Sequence, residues 1–471
     1  MIMIQLILII GVLLIPYPAW ADGGKDLYLK HCASCHHAER YGTTAPPLMP
    51  ETIGKKKDAE LISAIIDGLP ATNMSSFKDV LSAKDAEGLV KYIKGPVGIL
   101  KWDERDILKS KVINNNRSNL PAIPSLDYSN FFMIVEAGTG SVHFMDGDTF
   151  KILDKVKIGA IHGGPKYDYE FKNAYVVSRD GWILKYDLRT FNEIGRIRAG
   201  INTRNIAISK DGRYIAAANA LPRNIVILNA GSLEPVEIIE TKDTPNAVYT
   251  LKKKGLFVAV SREKGEVWVI DYKDKLTLEK ITTGGQPLSD FFIDPGEQYL
   301  IGAYRGGNGL SIFDLTEKKI IKNIELSGIP HLASAAFWKE RGKTYAAFPH
   351  IGEPVLTIVE LYNWEIKANI KLKGSGFFAR THDKSPYIWV DTGTDTIQLI
   401  DKKSLTVVKE IVPEDKKWSM HVEFTKDGRY AFVSIRETDG AVVIYDTSDL
   451  KEIKRIPFVK PVGKYNATNK T

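Results

Sequence analysis

"VWVIDYKDKLTLEKITTG", residues 267–284, reads as an apolar strand ending in an acidic residue, Asp271, then a short turn and a second strand. Taken singly it is a hairpin, β-branched and aromatic on its arms and polar between them. Its weight comes from repetition. The same grammar recurs in "VHFMDGDTFKILDKVKIG" (142–159), "WILKYDLRTFNEIGRIRAG" (182–200), "IVILNAGSLEPVEII" (225–239), "LSIFDLTEKKIIKNIELSG" (310–328), "LTIVELYNWEIKANIKLKG" (356–374), "IQLIDKKSLTVVKEIVP" (397–413) and "VVIYDTSDLKEIKRIPF" (442–458). The marker residues Asp146, Asp187, Asn229, Asp271, Asp314, Glu360, Asp401 and Asp446 lie 41 to 46 residues apart. Between the copies run inner-strand phrases such as "SKDGRYIAAANA" (209–220), "DPGEQYLIGAY" (294–304) and "TKDGRYAFVSI" (425–435). That period is the length of one four-stranded blade. Eight copies predict an all-β, eight-bladed propeller over residues 128–471.

Upstream of the repeats the pattern changes. Residues 99–127 mix prolines, asparagines and charges with little periodicity and read as a linker. Before them, "DGGKDLYLKHCASCHHAER" (22–40), "KDAELISAIIDGLP" (57–70) and "SAKDAEGLVKYIKG" (82–95) have helical spacing, with the turn-rich "GTTAPPLMP" (42–50) after the first. The first helical stretch holds both cysteines of the chain, in Cys32-Ala33-Ser34-Cys35-His36. C-x-x-C-H is the attachment pattern of haem c: two thiols one helical turn apart reach the two vinyl groups of one haem, and the adjacent histidine falls under the iron. A zinc site would need a second pair of ligands, and no further cysteine exists. A thioredoxin-like pair would end a strand and would not need His36. An all-α stretch over 22–98 with one covalent haem resembles a class I cytochrome c. The resemblance implies His36 and a methionine from the loop between the second and third helices as iron ligands. "GLPATNMSSF" (68–77) supplies Met74, with Met49 the alternative. A thioether ligand raises the potential, which suits an electron carrier. His31 and His37 read as exposed neighbours.

The chain opens "MIMIQLILIIGVLLIPYPAWADGG", apolar and uncharged before Asp22, with a small-x-small site at Ala19-Trp20-Ala21. This reads as a signal peptide, residues 1–21, although its first residues lack the usual lysine or arginine; an uncleaved anchor is the alternative reading, for which the run is slightly short. Cleavage would leave an exported, periplasmic protein that is not integral to a membrane. The formal net charge of +7 is spread as scattered lysines rather than blocks. It points to a solvated surface with a bias toward acidic ligands, not to a nucleic-acid interface.

Cytochrome first and eight-bladed propeller second, the chain resembles the cytochrome cd1 nitrite reductases and their relatives in haem d1 biosynthesis. The resemblance implies non-covalent binding of haem d1, or its dihydro precursor, on the propeller's central face. "KIGAIHGGPKYDYEFKNAYVVSRDGWILKYDL" (157–188) is similar to the segment with the proximal ligand, which makes His162 the expected iron ligand. A tetrapyrrole with several carboxylates calls for arginines. Arg179, Arg204, Arg223, Arg262, Arg305, Arg380 and Arg436 lie near inner-strand phrases, Arg179 and Arg204 foremost. Four loop histidines, His331, His350, His382 and His421, are expected around a shared pocket.

Within the family, nitrite reduction to nitric oxide uses a distal histidine pair that His350 and His382 resemble. The biosynthetic relatives instead oxidise dihydro-haem d1 to haem d1, turning a propionate into an acrylate, and pass electrons to haem c. "MHVEF" (420–424), with His421 where the reductases have glutamine, and Tyr465 in "KPVGKYNATNKT" (460–471) resemble that second group. Only ten residues separate the expected cleavage point from Cys32, too few for the arm that lays a tyrosine over haem d1 in some reductases. Removing hydrogens from an unactivated side chain needs a base, and a histidine beside a phenol suits that chemistry. The expected activity is therefore oxidation of dihydro-haem d1, with nitrite reduction the first alternative and a non-catalytic haem d1 carrier the second. A small electron-transfer protein and a cytochrome cd1 nitrite reductase receiving haem d1 are the expected partners.

Overall fold

A computed structural model of the chain describes residues 22–42, 45–69, 74, 76–98, 100–114, 126–159, 161 and 164–470. The expected signal peptide, 1–21, lies outside them. No helix among the described residues is long and apolar enough to cross a membrane. The chain divides into two units, at Leu100 and Lys101.

The first unit is helical: α1 (Asp22–His31), α2 (Ala33–His36), α3 (Pro50–Ile53), α4 (Asp58–Ile66) and α5 (Ala83–Lys94). The first helical stretch of the sequence is thus two helices that part at Cys32. Helix α5 starts where Ser82 Oγ accepts from Asp85 N and Ser82 N donates to the Asp85 carboxylate, a capping box. Its apolar stripe, Ala86, Leu89, Val90 and Ile93, packs on Tyr28 of α1 and on Leu61 and Ile65 of α4.

In the second unit the described residues form eight antiparallel sheets of four or five strands. Seven, blades 1 to 7, follow in chain order from the sheet around Trp182–Asp187 to the one around Gly440–Asp446. The eighth closes the ring: Pro461–Asn466 at the C-terminal end is the innermost strand beside Phe131–Glu136, with Met133 opposite Tyr465 and Ile134 opposite Lys464. The ring leaves each blade only short, protected edges. Between blades lie buried apolar layers, such as Ile183, Ile197, Ile206, Ile215 and Val226 between blades 1 and 2.

The repeated marker residue has a local cause. Seven of the eight are Asp or Asn whose side-chain oxygen accepts the N–H two residues on, fixing the outer hairpin turn. Glu360, one methylene longer, is held instead by Lys343, Lys367 and Asn363.

Part of the stretch expected to be a linker is folded. Helix α6 (Glu104–Ser110), capped by Asp103, buries Ile107 between blades 1 and 2, and Val112–Ile113 adds a fifth strand to blade 1. A two-turn helix with one buried contact is too short to show a period. Residues 115–125 lie outside the described residues.

Candidate functional site

In the helical unit, α2 presents Cys35 exposed, Cys32 part-buried and His36 buried. His36 Nδ1 lies 2.7 Å from the Pro46 carbonyl, so that nitrogen carries the proton and Nε2 keeps its lone pair for a metal. Burial lowers the pKa of the imidazole, favouring the neutral ligating form. The Tyr28 hydroxyl donates to the His37 carbonyl at 2.8 Å, tying the end of the motif to α1. Arg40 donates to the Tyr92, Ile93, Gly95 and Pro96 carbonyls and so fixes the motif against the end of α5. Met74 is part-buried against the apolar cluster that also takes in Cys32. Met49 is fully buried beside α3. Two thiols, an imidazole with one free nitrogen and an accessible thioether fit a covalent haem c.

On the propeller, the functional side chains sit where innermost strands begin. At these starts the ladder slips: Arg204, Asn246 with Ala247, Ser289, His421 with Val422, and Val462 with Gly463 are bulged against their partners. In blade 5 the inner strand is broken outright into Ile329–Pro330 and Ala336–Glu340, with His331 in the gap. Bulges re-aim side chains that a regular ladder would turn into the blade interfaces.

The face divides into two halves. Blades 1 to 4 supply cations. Arg204 is half-buried, and burial, reinforced by Arg262 and Arg179, brings its pKa down to about 10. Arg262 Nε is buried without a hydrogen-bond partner among the described residues, and Arg305 donates to the Arg262 carbonyl at 2.8 Å. A crowd of guanidinium groups with an orphaned donor fits an anionic ligand such as a tetrapyrrole carboxylate. Blades 5 to 7 and the closing blade supply rings in series: His331 to Phe378 at 5.7 Å, Phe378 to His421 at 4.8 Å, and His421 to Tyr465 at 5.2 Å between centroids. Burial, then Glu423, pushes the Tyr465 phenol up to about 12.

His162 and Gly163 lie outside the described residues. Of their neighbours, Ile161 bridges Ser178, and Gly164 has φ +70° with the place of its missing Cβ 2.5 Å from Tyr465 Cε1. Only glycine fits that approach.

Of the four loop histidines, the structure packs the rings of His331 and His421 on Phe378 and turns those of His350 and His382 to other partners, even though the His350 backbone pairs with Pro330 next to His331, a correction to the shared pocket expected from sequence. His350 is buried in blade 5 with both ring nitrogens engaged, by the Ser327 carbonyl at 2.6 Å and Thr357 Oγ1 at 2.9 Å. His382 sits in the hairpin between the two inner strands of blade 6, at the opposite strand end from Asp391, near the Lys426 carbonyl at 3.2 Å. Among the other arginines, Arg223 is exposed beside the Lys242 carbonyl, Arg380 pairs with buried Glu423 at 3.0 Å, and Arg436 stacks on Trp418. Sequence reasoning missed Asp391, fully buried, which accepts from Phe377 N at 2.7 Å and His421 N at 3.3 Å. It also missed Lys464, fully buried beside His421.

Known proteins fit this geometry. Residues 126–470 match the family described as cytochrome D1 heme domain, and residues 19–93 match the cbb3-type cytochrome c oxidase subunit III family. The dihydro-haem d1 dehydrogenase of Pseudomonas aeruginosa is 38% identical over 95% of this chain and 94% of its own. The nitrite reductase of Stutzerimonas stutzeri is 23% identical over 95% of this chain and 92% of its own. The solved structure of the dihydro-haem d1 dehydrogenase NirN in complex with DHE superposes with a TM-score of 0.90, covering 95% of this chain and 99% of that one.

Proposed function

The chain belongs to the cytochrome d1 haem-domain family, and from that premise we propose that it oxidises dihydro-haem d1 to haem d1, the last step of haem d1 biosynthesis, with electrons leaving through haem c. In that reaction two C–H bonds of a propionate break and a C=C bond forms. Two protons pass to the protein and two electrons leave. Haem c, when bound, supplies one-electron acceptance and release. The observation that carries the reading is the pairing of His421 with Tyr465 across the seam of blade 7 and the closing blade, opposite the arginine half of the face.

Arg204, Arg262 and Arg179 hold substrate carboxylates, and His162 is the proposed iron ligand. His331 and Phe378 wall the substrate side on blades 5 and 6. His421 takes up a proton at its imidazole. Tyr465, with a phenol pKa near 12, keeps its proton at neutral pH and serves as a hydrogen-bond donor that orients the side chain and passes protons on. Cys32 and Cys35 anchor haem c, with His36 and Met74 as its iron ligands. The apolar opening, 1–21, directs export to the periplasm. A small electron-transfer protein takes the electrons, and a cytochrome cd1 nitrite reductase receives the product.

The test is single turnover. Removing a general base typically costs ~10²- to 10⁴-fold, so His421→Ala should bind dihydro-haem d1 yet convert it that much more slowly, and Tyr465→Phe should be a milder version. Normal conversion by the double variant would refute the roles assigned to both.

A further inference from the structure

His421 holds an uncommon backbone, φ +52°, in the bulge between Met420 and Glu423. For a non-glycine residue that region is unfavourable, so surrounding structure must enforce it. Two residues from the flanking inner strands do so. The His421 N–H donates to Asp391 Oδ2 of blade 6 at 3.3 Å. The His421 carbonyl accepts from Lys464 Nζ of the closing strand. The same Nζ donates to the Met420 carbonyl at 3.3 Å and to Ser434 Oγ at 2.9 Å. The other Asp391 oxygen accepts from Phe377 N at 2.7 Å, and the next ring along, Phe378, lies 4.8 Å from the His421 ring.

Both titratable groups are fully buried. Burial drives Lys464 well below the ordinary lysine range and Asp391 up to about 6. Desolvating them works against the fold, and methionine would fill the lysine's volume without that penalty. What they supply is an acceptor for the N–H and a donor for the C=O of one residue, from opposite sides.

We propose that Lys464 and Asp391 are positioning residues that clamp the backbone of His421 and thereby aim its imidazole at the tetrapyrrole. The inference rests on His421 being the base. A misplacement of about 1 Å can cost ~10²-fold. Lys464→Met in the haem c-loaded protein should therefore slow conversion of dihydro-haem d1 about 10- to 100-fold, with affinity changed less than about threefold. A rate loss without an affinity loss is not what a general packing defect produces.

The decisive readout is coupling. In a His421→Ala background, Lys464→Met should slow the reaction further by less than about twofold, because its effect passes through the missing imidazole. Fully additive losses, or a wild-type rate for Lys464→Met alone, would overturn the clamp. A wild-type rate for His421→Ala would overturn the base assignment, and the clamp with it, so the two failures are distinguishable. Asp391→Asn repeats the cycle from the other side if Lys464→Met does not accumulate as folded protein, since Phe377 N and His421 N meet different carboxylate oxygens and asparagine replaces one of these with an NH2 donor.

Discussion

The imidazole of His421 meets the ring of Tyr465 edge to face, 5.2 Å between centroids and 66° between planes. The two residues lie 44 positions apart on different blades, and the contact exists because the chain's last strand returns to complete the first sheet. The proposed chemistry of the propeller thus depends on ring closure.

The haem c assignment separates into distinguishable losses. Cys32→Ala or Cys35→Ala should abolish the covalent haem seen after denaturing electrophoresis, while the propeller, with its own core, still folds. Met74→Ala should lower the haem c potential, because a thioether ligand raises it. Met49→Ala should instead lower stability by about 2–5 kcal/mol, as for other buried methionines. A potential shift confined to Met49→Ala would reverse the ligand assignment.

Arg204→Met should weaken dihydro-haem d1 binding about 10- to 100-fold in a spectral titration, the worth of a charge-assisted hydrogen bond of about 1.5–3 kcal/mol. Arg213→Ala is the control, an exposed residue paired with Asp211 at the opposite strand ends. Equal effects of the two substitutions would mean that the arginine half of the face does not hold the substrate.

The two histidines outside the central series should differ in stability. His350→Ala removes a ring bonded at both nitrogens in the sheet interior and should cost about 1–3 kcal/mol. His382→Ala, in a hairpin turn, should stay within about 0.5 kcal/mol of wild type. Denaturant unfolding measures both, and a reversed order would contradict their placement.

Asp391 predicts a pH dependence with a definite sign. Burial pushes its carboxyl up to about 6, above the roughly 3.9 of an unfolded aspartate. The native state therefore binds more protons between those values. The contribution is fully present below about pH 4 and is lost as pH rises through about 6, a swing of about 3 kcal/mol. Asp391→Asn lacks this titration, so its stability relative to wild type should improve from about pH 4 to about pH 7.5. A pH-independent difference would contradict it.

Much of the fold was legible because its signals are local. The blade period shows in Asp146 through Asp446, since each marker makes the same turn with its own neighbours. The three main helical stretches of the first unit showed in their apolar spacing and in the capping residue Ser82. What the sequence hides is set by pairing over distance. Nothing local says that Pro461–Asn466 completes the sheet begun at Phe131, or that His331 falls in a broken strand. Nothing local marks Lys464 or Asp391 as buried, because their burial comes from three strands meeting. The misplacement of His382 was avoidable: "THDKSPYIWV" (381–390) matches "SKDGRYIAA" (209–217), which puts His382 at a turn position away from the central face.

The most direct test gives the haem c-loaded protein both substrates in parallel: dihydro-haem d1 with a one-electron acceptor, and nitrite with a reduced cytochrome. The account predicts that haem d1 forms and that two acceptor molecules are reduced for each one made, with His421→Ala far slower. Nitric oxide produced from nitrite at catalytic rate, while bound dihydro-haem d1 stays unchanged, would contradict it.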